Sequence, residues 1–147
     1  MNKSIRAVVN ELFVDIFNDL LIIEQTALQS GKLSDLSVTE IHTIENIGMY
    51  VPRTMSEVAA DLGITVGTLT TAIHNLVKKG YVERKRDDKD RRVVKITLTK
   101  KGKLAYRVHE KFHSDMVKEA IEGLTQEEEE LLACALGKLN KFFKSKI

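Results

Sequence analysis

Between two apolar, alternating segments the chain carries DDKDRR, Asp87 to Arg92, six charged side chains of which three are basic. A solvated hairpin tip would account for such a run. So would a turn that carries an arginine into a negatively charged groove. Asp90, two residues before Arg92, can hold that arginine by charge-assisted hydrogen bonding. The neighbours favour the second reading. Arg84, Lys85 and Arg86 precede the run and Lys95 follows it, so Lys89, Arg91 and Arg92 extend a basic strip. The minor groove of A·T-rich DNA is narrow, strongly negative and attracts inserted arginine.

A second set of residues stands just upstream. Gly67, Thr68, Thr70, Thr71, His74, Asn75 and Lys78 share one side of a helical period whose other side is Leu69, Ile73, Leu76 and Val77. Threonine can touch thymine methyls and phosphates, asparagine can pair with an adenine edge, and lysine binds phosphate. A surface helix without a partner would more often carry Glu and Lys pairs; this face is almost free of acid. Thr65 can cap the helix.

A third set is formed by histidines. His109 and His113 are four apart and share a helix face. With Glu24 and His42 they make a candidate tetrahedral metal site. Polar residues near a pocket or a subunit seam explain them more simply, so a metal is not expected to be required. Cys134, the single cysteine, lies in LLACAL and reads as a buried, inert thiol.

These residues need elements to position them. Apolar residues from Ile5 to Ile23 recur with a helical period over about Lys3 to Ser30, with a face too wide for one neighbour; a second subunit is expected to cover part of it. Ser37 with Glu40, Thr54 with Glu57 and Thr125 with Glu128 have capping-box spacing and predict three helix starts. The helix begun at Ser37 must end before Pro52, the only proline. Two short helices follow, broken at Leu62-Gly63-Ile64-Thr65, the second ending at Gly80. YVERKR and VVKITLT alternate as strands on either side of the charged tip. A helix from about Thr99 to Glu122 and a last one after Thr125 complete the chain.

The fold expected is therefore mainly α with a small β-hairpin wing: a six-helix winged helix-turn-helix in a single domain. The helix-turn-helix and wing span about 36–99, flanked by helices over 1–35 and 100–147 that pair two copies. Charge follows this plan. The net charge is only +2, yet residues 51–103 hold 13 Lys and Arg against 6 Asp and Glu, the footprint of a nucleic-acid-binding element. Neither a P-loop, a Gly-rich nucleotide fingerprint nor a nucleophile motif is present, so an enzyme is not expected. No signal peptide or membrane span is visible, and a cytoplasmic protein is expected.

The stretch LGITVGTLTTAIHNLVKKGYVERKRDDKDRRVVKITLTKKG resembles the core of the MarR family of bacterial transcription regulators. The family's wing pattern, Asp-x-Arg followed by alternating apolar residues and Leu-Thr, is met by Asp90, Arg92, Ile96, Leu98 and Thr99. EIHTIENIG and LTKKGKLAYRVHEKFHSDMV further resemble its repressors of fatty-acid biosynthesis. That resemblance implies a homodimer on double-stranded DNA, at an A·T-rich pseudo-palindromic operator. It also implies an acyl-chain corepressor delivered on acyl carrier protein, with no required cofactor. Phe13 and Phe17 are candidates for the acyl chain, and Arg107 and Lys111 for the acidic carrier. The alternative is a MarR-type repressor responding to zinc, through Glu24, His42, His109 and His113, or to a small aromatic ligand.

Overall fold

Ser37, Thr54 and Thr125 begin helices by the same reciprocal device. The Ser37 hydroxyl accepts from the Glu40 amide and the Glu40 carboxylate from the Ser37 amide, both at 3.1 Å. Each box satisfies two of the first-turn amides that a helix cannot satisfy itself. The computed structural model describes residues 2–147. Within them the order is α1 (Ile5–Ser30), α2 (Val38–Ile47), β1 (Arg53–Thr54), α3 (Met55–Leu62), α4 (Val66–Lys78), β2 (Val82–Arg86), β3 (Val94–Leu98), α5 (Lys100–Ile121) and α6 (Gln126–Lys144). The chain forms two units, one up to Val108 and one from His109 to Ile147.

In the first unit, α2, α3 and α4 and the sheet close over one core. Ile41, Ile44, Val58, Leu69, Ile73, Leu76 and Ile96 are fully buried there. The stripe of α4 points inward as its spacing predicts. Gly63 ends α3 in the left-handed conformation, φ +66°, which lets the chain turn within three residues to the Thr65 cap of α4. This is a helix-turn-helix. The hairpin β2–β3 follows in the register Val82↔Leu98 to Arg86↔Val94.

The sheet has a third strand. Arg53 and Thr54 pair antiparallel with Ile96 and Lys95, giving the order β1-β3-β2. Two residues show no alternation, so the sequence pattern does not announce this strand. Arg53 fastens it: Nη1 donates to the Asn46 carbonyl at 2.7 Å and Nη2 to Asp61 Oδ2. One half-buried guanidinium thus joins the end of α2, β1 and α3.

The end of α4 is held from two sides. Lys79 Nζ donates to the Asp35 carbonyl and to both oxygens of Glu40, at 3.0 and 2.9 Å. The Tyr81 hydroxyl donates to Asp35 Oδ1 at 2.8 Å. From the start of α5, Thr99 Oγ1 donates to the Gly80 carbonyl at 2.6 Å and Lys101 Nζ to the Lys79 carbonyl at 2.8 Å. Lys101 also lies 4.4 Å over the Tyr81 ring. Gly102 permits this contact, since a Cβ there would stand 2.1 Å from the Tyr81 carbonyl oxygen.

In the second unit no residue of α6 is buried. Cys134 is therefore exposed, which corrects the buried thiol expected from its apolar neighbours. Its surroundings are apolar, but they lie on a helix face that this chain leaves open. Leu131, Leu136, Phe142 and Phe143 are each at least half exposed. In the first unit α1 is similar: only Glu24 and Leu28 are buried along its 26 residues.

Candidate nucleic-acid interface

The face of α4 singled out by the sequence is open to solvent. Gly67, Thr68, Thr70, Thr71, His74, Asn75 and Lys78 are all exposed, while Leu69, Ile73 and Leu76 behind them are fully buried. The hydroxyls have different duties. Thr65 is committed as the cap, accepting from the Thr68 amide at 3.1 Å and sharing a 2.9 Å bond with the Thr68 hydroxyl. Thr70 donates to the Val66 carbonyl at 2.8 Å. Its proton is thereby spent, so it offers outward a methyl group and lone pairs. Those suit a thymine methyl or a base amino group and do not suit a phosphate, which only accepts.

The hairpin tip is built by its acids. Asp87 Oδ2 accepts from the Asp90 amide at 3.2 Å, and the Val93 amide donates to the Asp90 carbonyl at 3.0 Å, closing the turn. Asp87 Oδ1 also lies 3.6 Å from Lys95 Nζ. Asp90 then holds Arg92: Oδ1 accepts from the Arg92 amide at 3.1 Å and from its Nε at 3.2 Å, and Oδ2 from Nη2 at 3.4 Å. The side-chain bonds from Arg92, then its amide, keep the Asp90 carboxyl below the usual aspartate range. Arg92 itself is 91% exposed. Arg92 is thus hydrogen-bonded to its own turn while its side chain stays open to solvent. Arg86 Nη1 donates to the Arg91 carbonyl at 3.1 Å, stiffening the base of the tip. Lys89 and Arg91 are exposed beside it.

Between α4 and the wing runs a groove of about 750 Å³. It is lined by Thr54, Met55, Ser56, Val66 and Thr70 on one side and by Arg84, Lys85, Arg86, Arg92, Val93 and Val94 on the other. Sequence reasoning found the wing bases and Thr70. It did not find Ser56 or Met55, whose only signal was the capping box that starts α3. It also missed Arg53, Lys79 and Tyr81, which orient α3 and α4 without facing outward.

The four metal candidates appear as two pairs. In the first unit His42 Nε2 lies 2.8 Å from Glu24 Oε1. In the second, His113 Nε2 lies 2.9 Å from His109 Nε2, and His109 is buried. The effector candidates are placed as follows. Phe17 is 70% exposed and Phe13 half-buried. Arg107 is exposed, and Lys111 pairs with Asp115 at 2.6 Å.

The profile of the MarR family matches residues 34–93, the segment that holds the helix-turn-helix and most of the wing. Streptococcus pneumoniae FabT, solved in complex with DNA, is 41% identical; the match covers 97% of this chain and 99% of that one with a TM-score of 0.92. The chain belongs to the MarR family. An HTH-type transcriptional regulator of Bacillus subtilis, YwhA, is 29% identical over 120 residues, 76% of this chain and 86% of that protein. The MepR–DNA complex of S. aureus shares the fold at 22% identity and a TM-score of 0.72, covering 92% of this chain and 97% of that one. This MarR-family chain is a DNA-binding transcriptional regulator and not an enzyme, in keeping with these relatives. Among its described residues no helix is long and apolar enough to cross a membrane.

Proposed function

We propose that the chain represses fatty-acid biosynthesis genes, binding an A·T-rich pseudo-palindromic operator as a homodimer, and that long acyl chains on acyl carrier protein strengthen its grip. The observation that carries this reading is the 41% identity to S. pneumoniae FabT along nearly the whole of both chains. In it, α4 enters the major groove, where Thr68, Thr70, Thr71, His74 and Asn75 meet base edges and Lys78 meets phosphate. Arg92, held by Asp90, enters the flanking minor groove, with Lys89 and Arg91 beside it. Arg84 and Arg86 add positive charge along β2. Homodimerisation is supported by the open apolar faces of α1 and α6. Exposed apolar side chains grouped on a helix, such as Phe17, Leu20 and Leu21 on α1 and Leu132, Leu136 and Phe143 on α6, mark surfaces of protein–protein contact. Phe13 and Phe17 belong to that apolar excess, and Arg107 and Lys111 to the basic side of α5 that meets an acidic carrier.

The test is titration of promoter duplexes from fatty-acid biosynthesis genes at fixed salt, with long-chain acylated carrier protein, unacylated carrier protein or neither. The reading requires tighter binding with the acylated carrier alone, because a ligand shifts a conformational equilibrium only through unequal affinity for its states. Equal binding in all three arms rejects the corepressor.

A second reading, a zinc-responsive regulator, is favoured by the Glu24–His42 and His109–His113 pairs, each already within hydrogen-bond distance. Imidazole and carboxylate suit zinc. Operator affinity that follows added zinc and a chelator, and ignores the acyl chain, selects this reading over the first.

A further inference from the structure

A dimer that reads an inverted repeat must hold its two copies of α4 about one helical turn of DNA apart. The buried stripe of Leu69, Ile73 and Leu76 decides which face of α4 turns inward. Apolar packing is non-directional, however, and does not by itself fix where the helix points. Directional bonds do, and they are not at its first turns, where the side chains of Thr65, Thr68 and Thr70 bond within the helix and its cap. The side-chain bonds that tie α4 to other elements gather at its far end, on Lys79, Gly80 and Tyr81. We propose that Asp35 is a positioning residue of α4: it ties this end to the turn that follows α1, and so sets the separation of the two copies of α4. The inference rests on the homodimeric, DNA-reading function proposed above and deepens it, naming a residue that acts on the operator only through α4.

Asp35 is exposed, yet its backbone is anchored. It lies in a turn closed by the Leu36 amide on the Leu33 carbonyl at 3.0 Å, and both leucines are buried in the core. The turn stands between α1, which ends at Ser30, and the Ser37 cap of α2. From it Asp35 reaches the end of α4 twice. Its carbonyl accepts from Lys79 Nζ, and its Oδ1 accepts from the Tyr81 hydroxyl at 2.8 Å. Glu40 reinforces the first bond. Both its oxygens accept from Lys79, and Oε1 also accepts from the Ser37 amide, so one buried carboxylate starts α2 and holds α4. A chain of bonds therefore runs from the turn after α1 to α4, and α1 carries an open apolar face assigned to the second copy. A displacement of α1 at the seam is passed to α4 through Asp35. From the other side Thr99 and Lys101 hold the Gly80 and Lys79 carbonyls. Loss of the Asp35 carboxylate thus loosens the direction of α4 without releasing its end. Lys79 is a poorer place to test this, since its removal leaves the buried Glu40 carboxylate unpaired.

A residue that sets separation matters only when both copies of α4 are engaged, and the test uses that. The intact protein is titrated against the inverted repeat enriched from a random pool, against the same duplex with one half-site scrambled, and against repeats whose half-sites are moved closer or further apart by single base pairs. Titrations run well below the melting temperature of every variant, and sedimentation reports its assembly. Asp35→Ala is expected to weaken binding to the enriched repeat about tenfold, to leave the single half-site unchanged, and to lose affinity less steeply than the wild type as the spacing is altered. Asp35→Asn keeps an oxygen that can accept from Tyr81 and restores the wild-type pattern. Tyr81→Phe breaks the same bond from its other end. It should match Asp35→Ala, and the double variant should be no worse than either alone. An equal loss on half-site and repeat, an unchanged repeat affinity in both single variants, losses that add in the double variant, or dissociation of the dimer overturns the positioning role while DNA binding stands. A wild type that binds the inverted repeat no better than one half-site overturns the dimeric reading as well.

Discussion

At the hairpin tip Asp90 accepts from both the amide and the guanidinium of Arg92, and the proposed function assigns that arginine to the DNA. Arg92→Ala should weaken binding to an enriched duplex by about 10- to 100-fold, with the helical content and assembly state unchanged. Asp90→Asn leaves the guanidinium but loosens its orientation, so its loss should be smaller; anisotropy titrations of the two variants rank them. The Asp90 carboxyl is held below its ordinary value by Arg92. A lowered carboxyl stabilises the structure above its unfolded pKa, about 3.9, and that contribution disappears as pH falls through the folded value. The tip is therefore insensitive to pH between 6 and 8, and a pH-dependent affinity in that window has another source. On α4, Asn75→Ala should relax base preference at one operator position, where a good base-edge pair contributes about 1–3 kcal/mol of discrimination. The charge run and the almost acid-free face made these residues legible. The hydroxyl of Thr70 was less so. Its bond to the Val66 carbonyl removes it from the phosphate role that its residue type allows, and only the observed side-chain orientation reveals that.

The elements meet at the Lys79-Gly80-Tyr81 corner, which sets the direction of α4 relative to the wing within the first unit. Gly102→Ala puts a methyl group against the Tyr81 carbonyl and should destabilise the fold by about 1–3 kcal/mol, measured by urea denaturation. Tyr81→Phe removes the bond to Asp35 and should cost about 1 kcal/mol at neutral pH. Burial first, and then the bond and charge of Asp35, raise the Tyr81 pKa well above that of a free phenol. A raised pKa contributes stability below the unfolded value, about 10, and loses it as pH climbs through the folded one. The gap between Tyr81→Phe and the wild type should therefore narrow above about pH 10. A gap that stays constant to pH 11 would contradict the role given to Asp35. Helix boundaries could be read from the sequence because capping boxes and periodicity are local. Strand β1, Arg53 and the Lys79–Glu40 pair could not, because each depends on segments brought together only by the closed core. Ser56 belongs with them: its spacing announces a helix start, and only the fold sets that start in a groove opposite Arg84.

At the scale of the molecule, periodicity identified the apolar faces of α1 and α6 but not what covers them. Cys134 was misread for this reason, since an apolar face is buried only if something packs on it. Ile5, Phe17, Ile22 and Leu131 are each more than 60% exposed. Burying such a side chain contributes about 1.5–3 kcal/mol, so Phe17→Asp combined with Phe142→Asp should convert a dimer to a monomer in sedimentation and abolish high-affinity DNA binding with it. A wild type that sediments as a soluble monomer at micromolar concentration would contradict the homodimer. In the proposed function, paired copies of α4 and the wing read a symmetric DNA sequence. Selection of bound duplexes from a random pool by the wild-type protein tests this most directly. An A·T-rich inverted repeat, with half-site centres about one helical turn apart, is the predicted product. A pool that stays random after repeated rounds would contradict it.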